Sequence, residues 1–268
     1  MKDHALSLAL AQPDAQSRLN ILREYVQALS LRSLHESEAF ASIAFVGGTA
    51  LRFLRQLPRF SEDLDFTVFT PTGYTGVNWM RKLKRDLVSA GFDASVSWRE
   101  QTSVHVAWIR IGQLLKAVGL SPLPAQKLSV KIEIDTRPPA GADIQKRVIM
   151  RHVSFAISHY DMPSLMAGKL HALLCRPYVK GRDWYDLLWY LSQTPPAMPN
   201  QVLLQNALDQ TEGVGKLSAA SWRDQLLTRL GTLPFDRVAD DVRPFLERSQ
   251  DAHLLTKENL LAALRSPA

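Results

Sequence analysis

The chain has a single cysteine, Cys175, so no disulfide framework can form within it, and a reducing compartment suits it. No stretch approaches the roughly 20 continuous apolar residues that a membrane-spanning helix requires. The apolar run from Ala5 to Ala11 is broken by Ser7 and is followed by no convincing cleavage signal, so the start reads as a cytosolic N-terminus. His105 has no second histidine at ligand spacing, which leaves it a structural role. From Gln201 onward there is no metal motif, repeat or low-complexity tract. What remains is 268 residues of ordinary globular composition, enough for two modest domains, with a formal net charge of +6 that is compatible with a polyanionic partner.

The informative stretch is Phe45-Val46-Gly47-Gly48-Thr49-Ala50-Leu51, followed by Arg59-Phe60-Ser61-Glu62-Asp63-Leu64-Asp65-Phe66. Ile43 to Val46 reads as a short strand. The glycines then turn the chain into a helix from Thr49 to Leu57, which ends before Pro58. Glycine permits backbone angles and close approaches that a Cβ hinders, and the amides that open a helix favour an anion in front of them. Asp63 and Asp65 stand two apart on the next strand, so they share a face while Leu64 and Phe66 turn into the core. Two adjacent acids repel, and a divalent cation is the usual reason to tolerate them. Oxygen-only ligation suits magnesium, with manganese as an alternative. A phosphate cradle followed by a carboxylate clamp points to phosphoryl or nucleotidyl transfer. In that chemistry Gly47, Gly48 and Thr49 receive a nucleoside triphosphate, and Ser61 and Arg59 touch phosphate or orient the metal ligands. Arg59 has the alternative of pairing with Glu62. Arg52 and Arg55 lie on a solvated helix face, or Arg52 helps to hold the triphosphate.

Around this stretch the periodicity predicts a helix over 16–35, capped by Asp14, and an amphipathic helix over 79–91. The second helix carries Arg81, Lys82, Lys84 and Arg85, a solvated face or a patch for an RNA backbone. Alternation predicts strands over 92–98, 104–111 and 128–135, with a last strand over 148–157. In 128–135, Val130, Ile132 and Ile134 share one face, and Lys131, Glu133 and Asp135 share the other. Beyond His159 to Pro163 the pattern becomes helical, which sets the domains at 1–160 and 161–268. Ser164 is the expected cap of a helix bearing Lys169. Asp183 and Asp186 lie on one face of the next helix, with Arg182 as a partner for Asp186.

The order strand, Gly-Gly-Thr, helix, Ser-x-Asp-x-Asp resembles the DNA polymerase β type of nucleotidyltransferase. The fuller string resembles the AbiEii/AbiGii toxin family. The resemblance implies an α/β (α+β) mixed-sheet nucleotidyltransferase domain and a helical C-terminal domain that completes the active site. It implies a third carboxylate on a strand beside the first pair. By pattern either Glu133 or Asp135 serves; the lysine–apolar–glutamate–apolar arrangement common in the family favours Glu133. It also matches Lys169 and Asp183-x-x-Asp186, with Lys169 approaching the nucleotide phosphates and Asp186 supporting it or acting as a base. The implied protein is a cytoplasmic growth-inhibiting toxin with a separately encoded antitoxin, linked to phage defence. Its metal ligands are Asp63, Asp65 and Glu133, and its acceptor is RNA, notably the 3′ end of tRNA. The rival readings are transfer to a protein or small molecule, and a catalytically silent scaffold.

Overall fold

The computed structural model describes residues 1–266. The elements in chain order are α1 (Lys2–Leu10), α2 (Ala15–Glu36), β1 (Ile43–Val46), α3 (Gly47–Arg55), β2 (Leu64–Val68), α4 (Gly76–Ser89), β3 (Asp93–Arg99) and β4 (Val104–Gly112). Then come α5 (Leu114–Ala117), β5 (Leu128–Asp135), β6 (Ile144–Arg151) and β7 (Val153–Tyr160). The helices α6 (Met162–Cys175), α7 (Gly181–Leu191), α8 (Gln201–Glu212), α9 (Trp222–Leu230), α10 (Phe235–Val242) and α11 (Lys257–Arg265) complete the chain. It divides into two compact units. One holds residues 1–56, 60–138 and 145–159; the other holds 57–59, 139–144 and everything from Tyr160 onward.

The first unit is built on a seven-stranded mixed sheet in the order β3-β4-β5-β2-β1-β7-β6. β1 and β2 run antiparallel, whereas β2 runs parallel to β5 and β1 parallel to β7. Alternation dictates which side of each strand is buried. Leu64, Phe66 and Val68 of β2, and Val130, Ile132 and Ile134 of β5, lie in the core, while Asp65, Thr67, Lys131, Glu133 and Asp135 are half-buried on the opposite face. Phe45 of β1 stacks on Phe66 at 5.2 Å between ring centroids. Truncating such a ring to alanine typically costs about 3–5 kcal/mol. Helix α2 packs on α4 and on β5, and Asp14 caps its start by accepting from the Ser17 amide at 2.9 Å.

The single strand expected over 148–157 is two strands. His152 separates β6 from β7 in a left-handed conformation, φ +60°. A histidine carries no turn signature, so the apolar alternation reads straight through this bend. Helix α3 opens at Gly47 itself and stops at Arg55, with Gln56 left-handed at φ 55° as its cap.

In the second unit, α6 packs against α7, α8 and α9, and α7 against α10 and α11. The cap of α6 is Asp161, which accepts from the Ser164 amide at 2.8 Å, rather than Ser164. The Ser164 hydroxyl instead accepts from the Asp143 amide at 3.1 Å. Gly181 opens α7 because a Cβ there would collide with the Val238 carbonyl, and its amide donates to Asp241 at 2.7 Å. Among the described residues no helix is long and apolar enough to cross a membrane.

Candidate active site

In the sheet unit the candidate residues gather where β1 runs into α3 beside β2 and β5. Val46 pairs across strands with Asp65, and Asp65 lies in register with Glu133. Asp135 lies beside Thr67, one step further along the face. Parallel pairing thus sets Glu133, of the two acids open by pattern, next to the Asp63-x-Asp65 motif. Gly47 has φ +78°, and a Cβ built on it would stand 2.5 Å from Asp65 Oδ2. The glycine is therefore the surface against which the Asp65 carboxylate rests. Gly48 is buried within the first turn.

Thr49 does not present its hydroxyl to solvent. It is fully buried and donates to the Asp63 carbonyl, which fixes the approach to β2. The carbonyls of Ser61 and Glu62 are held from the other side by Gln27 Nε2, both at 3.0 Å. Gln27 was not legible as a site residue from its spacing; the available signal was an amide on the buried face of α2. Arg52 is likewise neither solvated nor open to a ligand. It is buried, ion-paired with Glu24 at 2.7 Å and 4.2 Å above the Phe60 ring.

Glu24 also meets Arg151 at 3.0 Å and His152 at 2.8 Å. Burial alone would push its carboxyl up. The His152 hydrogen bond and the charges of Arg52 and Arg151 outweigh that and bring it down to about 2, from an ordinary 4.5.

Among the described residues no three Asp, Glu, His or Cys side chains are gathered closely enough to hold a metal ion. Glu133 is turned to Lys131, with Nζ to Oε1 at 2.8 Å. Asp65 and Glu133, with Asp63 immediately ahead of β2, are still an all-oxygen donor set of the kind a hard divalent cation takes.

The helical unit holds a second constellation. Lys169 of α6 reaches Asp183 at 2.7 Å and Asp186 at 2.8 Å, both on α7. Arg176 pairs with Asp183 as well. Arg59, which belongs to this unit, grips Asp186 with Nε at 2.6 Å and Nη2 at 2.5 Å. Arg59 is 2% exposed, so little of it is open to a ligand in this arrangement. Glu62 pairs with Arg23 at 3.4 Å. The Arg182 guanidinium lies 4.0 Å over the Phe245 ring.

Three cations thus gather around two carboxylates. Burial disfavours the Lys169 ammonium, yet Asp183 and Asp186 raise its pKa above the ordinary 10.5. Burial likewise opposes the Asp183 carboxylate, and Lys169 and then Arg176 hold its pKa below 3.8. Asp186 is 0% exposed with both oxygens engaged, an arrangement that supports Lys169.

A mixed sheet with paired carboxylates beside a glycine-opened helix, joined to a helical unit, is the architecture of a nucleotidyltransferase. Solved structures share the fold. The chain is similar to JHP933 of Helicobacter pylori at 16% identity, over 92% of this chain and 90% of that one, with a TM-score of 0.55. It is equally similar to a candidate nucleotidyltransferase from H. pylori at 16% identity, over 91% and 93%, with a TM-score of 0.54. At that identity the likeness is one of fold. No curated protein matches the sequence. The sequence profile described as nucleotidyl transferase AbiEii toxin, type IV toxin–antitoxin system, matches residues 30–260, and the chain belongs to that family.

Proposed function

We propose that this nucleotidyltransferase-family toxin is metal-dependent and transfers a nucleotide to RNA, with the 3′ end of tRNA as acceptor. The observation that carries the metal assignment is the register of Asp65 with Glu133, on one face and against the Gly47 backbone. Magnesium, when bound, would supply Lewis-acid stabilisation of charge on the phosphates. Asp63, Asp65 and Glu133 are the residues that would hold it. The start of α3 at Gly47 and Gly48 is the anion-favouring end of a helix, suited to a triphosphate. In the helical unit we assign phosphate binding to Lys169, with Asp186 and Asp183 orienting its ammonium. An RNA acceptor is supported by the net charge of +6 and by the exposed Arg81, Lys84 and Arg85 on α4. Lys82 of the same helix is occupied by Glu36 at 3.1 Å and Asp86 at 2.6 Å. The family further implies a separately encoded antitoxin; we extend this to a cytoplasmic role in phage defence.

The test is transfer of an α-labelled nucleotide, with magnesium, to total RNA, a protein extract and small hydroxyl compounds. Label is expected at a terminal hydroxyl of RNA and should vanish in Asp65→Ala. Glu133→Gln should cost far more rate than Asp135→Asn. Label confined to protein or a small molecule would reject the RNA acceptor, and the reverse order of damage would move the third ligand to Asp135.

A further inference from the structure

Trp108 of β4 is 37% exposed, whereas Trp79, Trp184 and Trp222 are buried. It stands on the half-buried face of the sheet that carries the carboxylates. Trp108 is paired across strands with Lys131, and two residues along the same face Glu133 is paired with Asp65. The contacts run without a break. Lys131 Nζ lies 5.8 Å from the centre of the Trp108 ring and 2.8 Å from Glu133. The Arg110 guanidinium lies 5.7 Å from the centre of the same ring and donates to Ser97 Oγ at 3.2 Å. Arg99, exposed at the end of β3, adds a third cation in the row of Glu133.

An exposed indole with two cations beside it has a defined chemistry. The ring face stacks a nucleobase, and the flanking ammonium and guanidinium take the phosphates on either side. A base inside a duplex has its faces covered by its neighbours, so such a platform selects unpaired nucleotides. Neighbouring strands lie about 4.8 Å apart, which puts Trp108 about 10 Å across the sheet from the strand of Asp65. A base stacked there leaves the end of its own strand at the carboxylates.

We infer that Trp108, Arg110 and Lys131 form a stacking platform for the unpaired 3′ end of the acceptor RNA. The inference rests on the RNA-acceptor reading above but is tested by binding, independently of transfer. The probe is a hairpin RNA with a short unpaired 3′ tail, compared with the same hairpin without the tail, in the absence of nucleotide. Wild-type protein should prefer the tailed hairpin. Trp108→Ala should weaken that binding about tenfold or more, and Trp108→Phe should retain most of it. Blunt-hairpin binding, nucleoside triphosphate binding and the melting temperature should stay unchanged. Arg110→Ala should lower the slope of log affinity against log salt by about 0.7, the signature of one lost single-strand phosphate contact. In transfer assays Trp108→Ala should raise KM for RNA more than it lowers kcat.

Equal binding of tailed RNA by wild type and Trp108→Ala, with an unchanged salt slope in Arg110→Ala, would overturn the platform. Loss confined to nucleoside triphosphate binding would overturn its assignment to the acceptor and give the base to the incoming nucleotide. Tail binding that depends on Trp108, in a protein that labels only non-RNA acceptors, would support the platform while rejecting the RNA-transfer reading.

Discussion

At Gly47 one hydrogen atom separates a carboxylate from a collision. Alanine there meets two obstacles: a left-handed φ of +78°, and a Cβ 2.5 Å from Asp65 Oδ2. The backbone penalty is about 1–2 kcal/mol. The side-chain penalty is small in energy, because a carboxylate end can swing away, but the swing moves an assigned metal ligand. Misplacement by about 1 Å can cost on the order of a hundredfold in rate. Gly47→Ala is therefore expected to melt only slightly lower than wild type while losing transfer by a factor of that order. Thermal melting and labelled transfer on one preparation check this, and full transfer activity would sever Gly47 from the Asp65 carboxylate. At the same scale, Arg59 shows how little a flanking position says about a side chain. It precedes the Ser-x-Asp-x-Asp motif by two residues, yet it is spent on Asp186, 127 residues away.

Helix α2 holds the glycine–carboxylate region with polar side chains from a buried face. Gln27 binds the carbonyls of Ser61 and Glu62, and one turn earlier Glu24 collects Arg52, Arg151 and His152. Glu24 thereby joins α2 to α3 and to the bend between β6 and β7. Its folded-state pKa of about 2 is depressed from 4.5, so its stabilisation is fully present above pH 4.5 and is lost as pH falls toward 2. The amount is on the order of 3 kcal/mol. Asp183, also depressed, loses its contribution as pH falls below its ordinary 3.8. Denaturation midpoints measured between pH 6 and pH 2 should fall steeply over about the last two units. Glu24→Gln should start lower and show a shallower slope there. An unchanged slope in Glu24→Gln would assign the acid sensitivity elsewhere.

The whole molecule is not cut at a single peptide bond. Residues 57–59 and 139–144 belong with the helical unit although both lie upstream of Tyr160. The first supplies Arg59 to Asp186; the second supplies the Asp143 amide to Ser164 and the Gly141 carbonyl to Asn200 at 2.7 Å. A fragment of residues 161–268 lacks both segments and leaves Asp186 buried with one cation fewer. Breaking a buried ion pair by removing one partner costs about 3–5 kcal/mol. The fragment is expected to melt without a cooperative transition, or well below the full chain. Circular dichroism melts of the two would show it, and a cooperative melt at the full-chain temperature would mean that the upstream segments add nothing.

Local pattern alone determined much of this protein. β1 and β5 fall on the expected residues, Asp14 caps α2, and alternation placed Leu64, Phe66, Ile132 and Ile134 inward with Asp65 and Glu133 on the other face. Those features depend on neighbours within a few residues, and the family string around Gly47 and Asp65 is equally local. Long-range pairing decided the rest. Residue pattern leaves Glu133 and Asp135 on one face of one strand, and the β2–β5 register is what sets Glu133 beside Asp65 and Asp135 beside Thr67. Only packing shows that Thr49, Arg52 and Arg59 are buried and committed to Asp63, Glu24 and Asp186, because an isolated arginine carries no mark of the carboxylate that will neutralise it. The bend at His152 was hidden for a related reason: it carries none of the glycine or asparagine marks of a turn, and its bond to Glu24, 128 residues away, is set only by the fold.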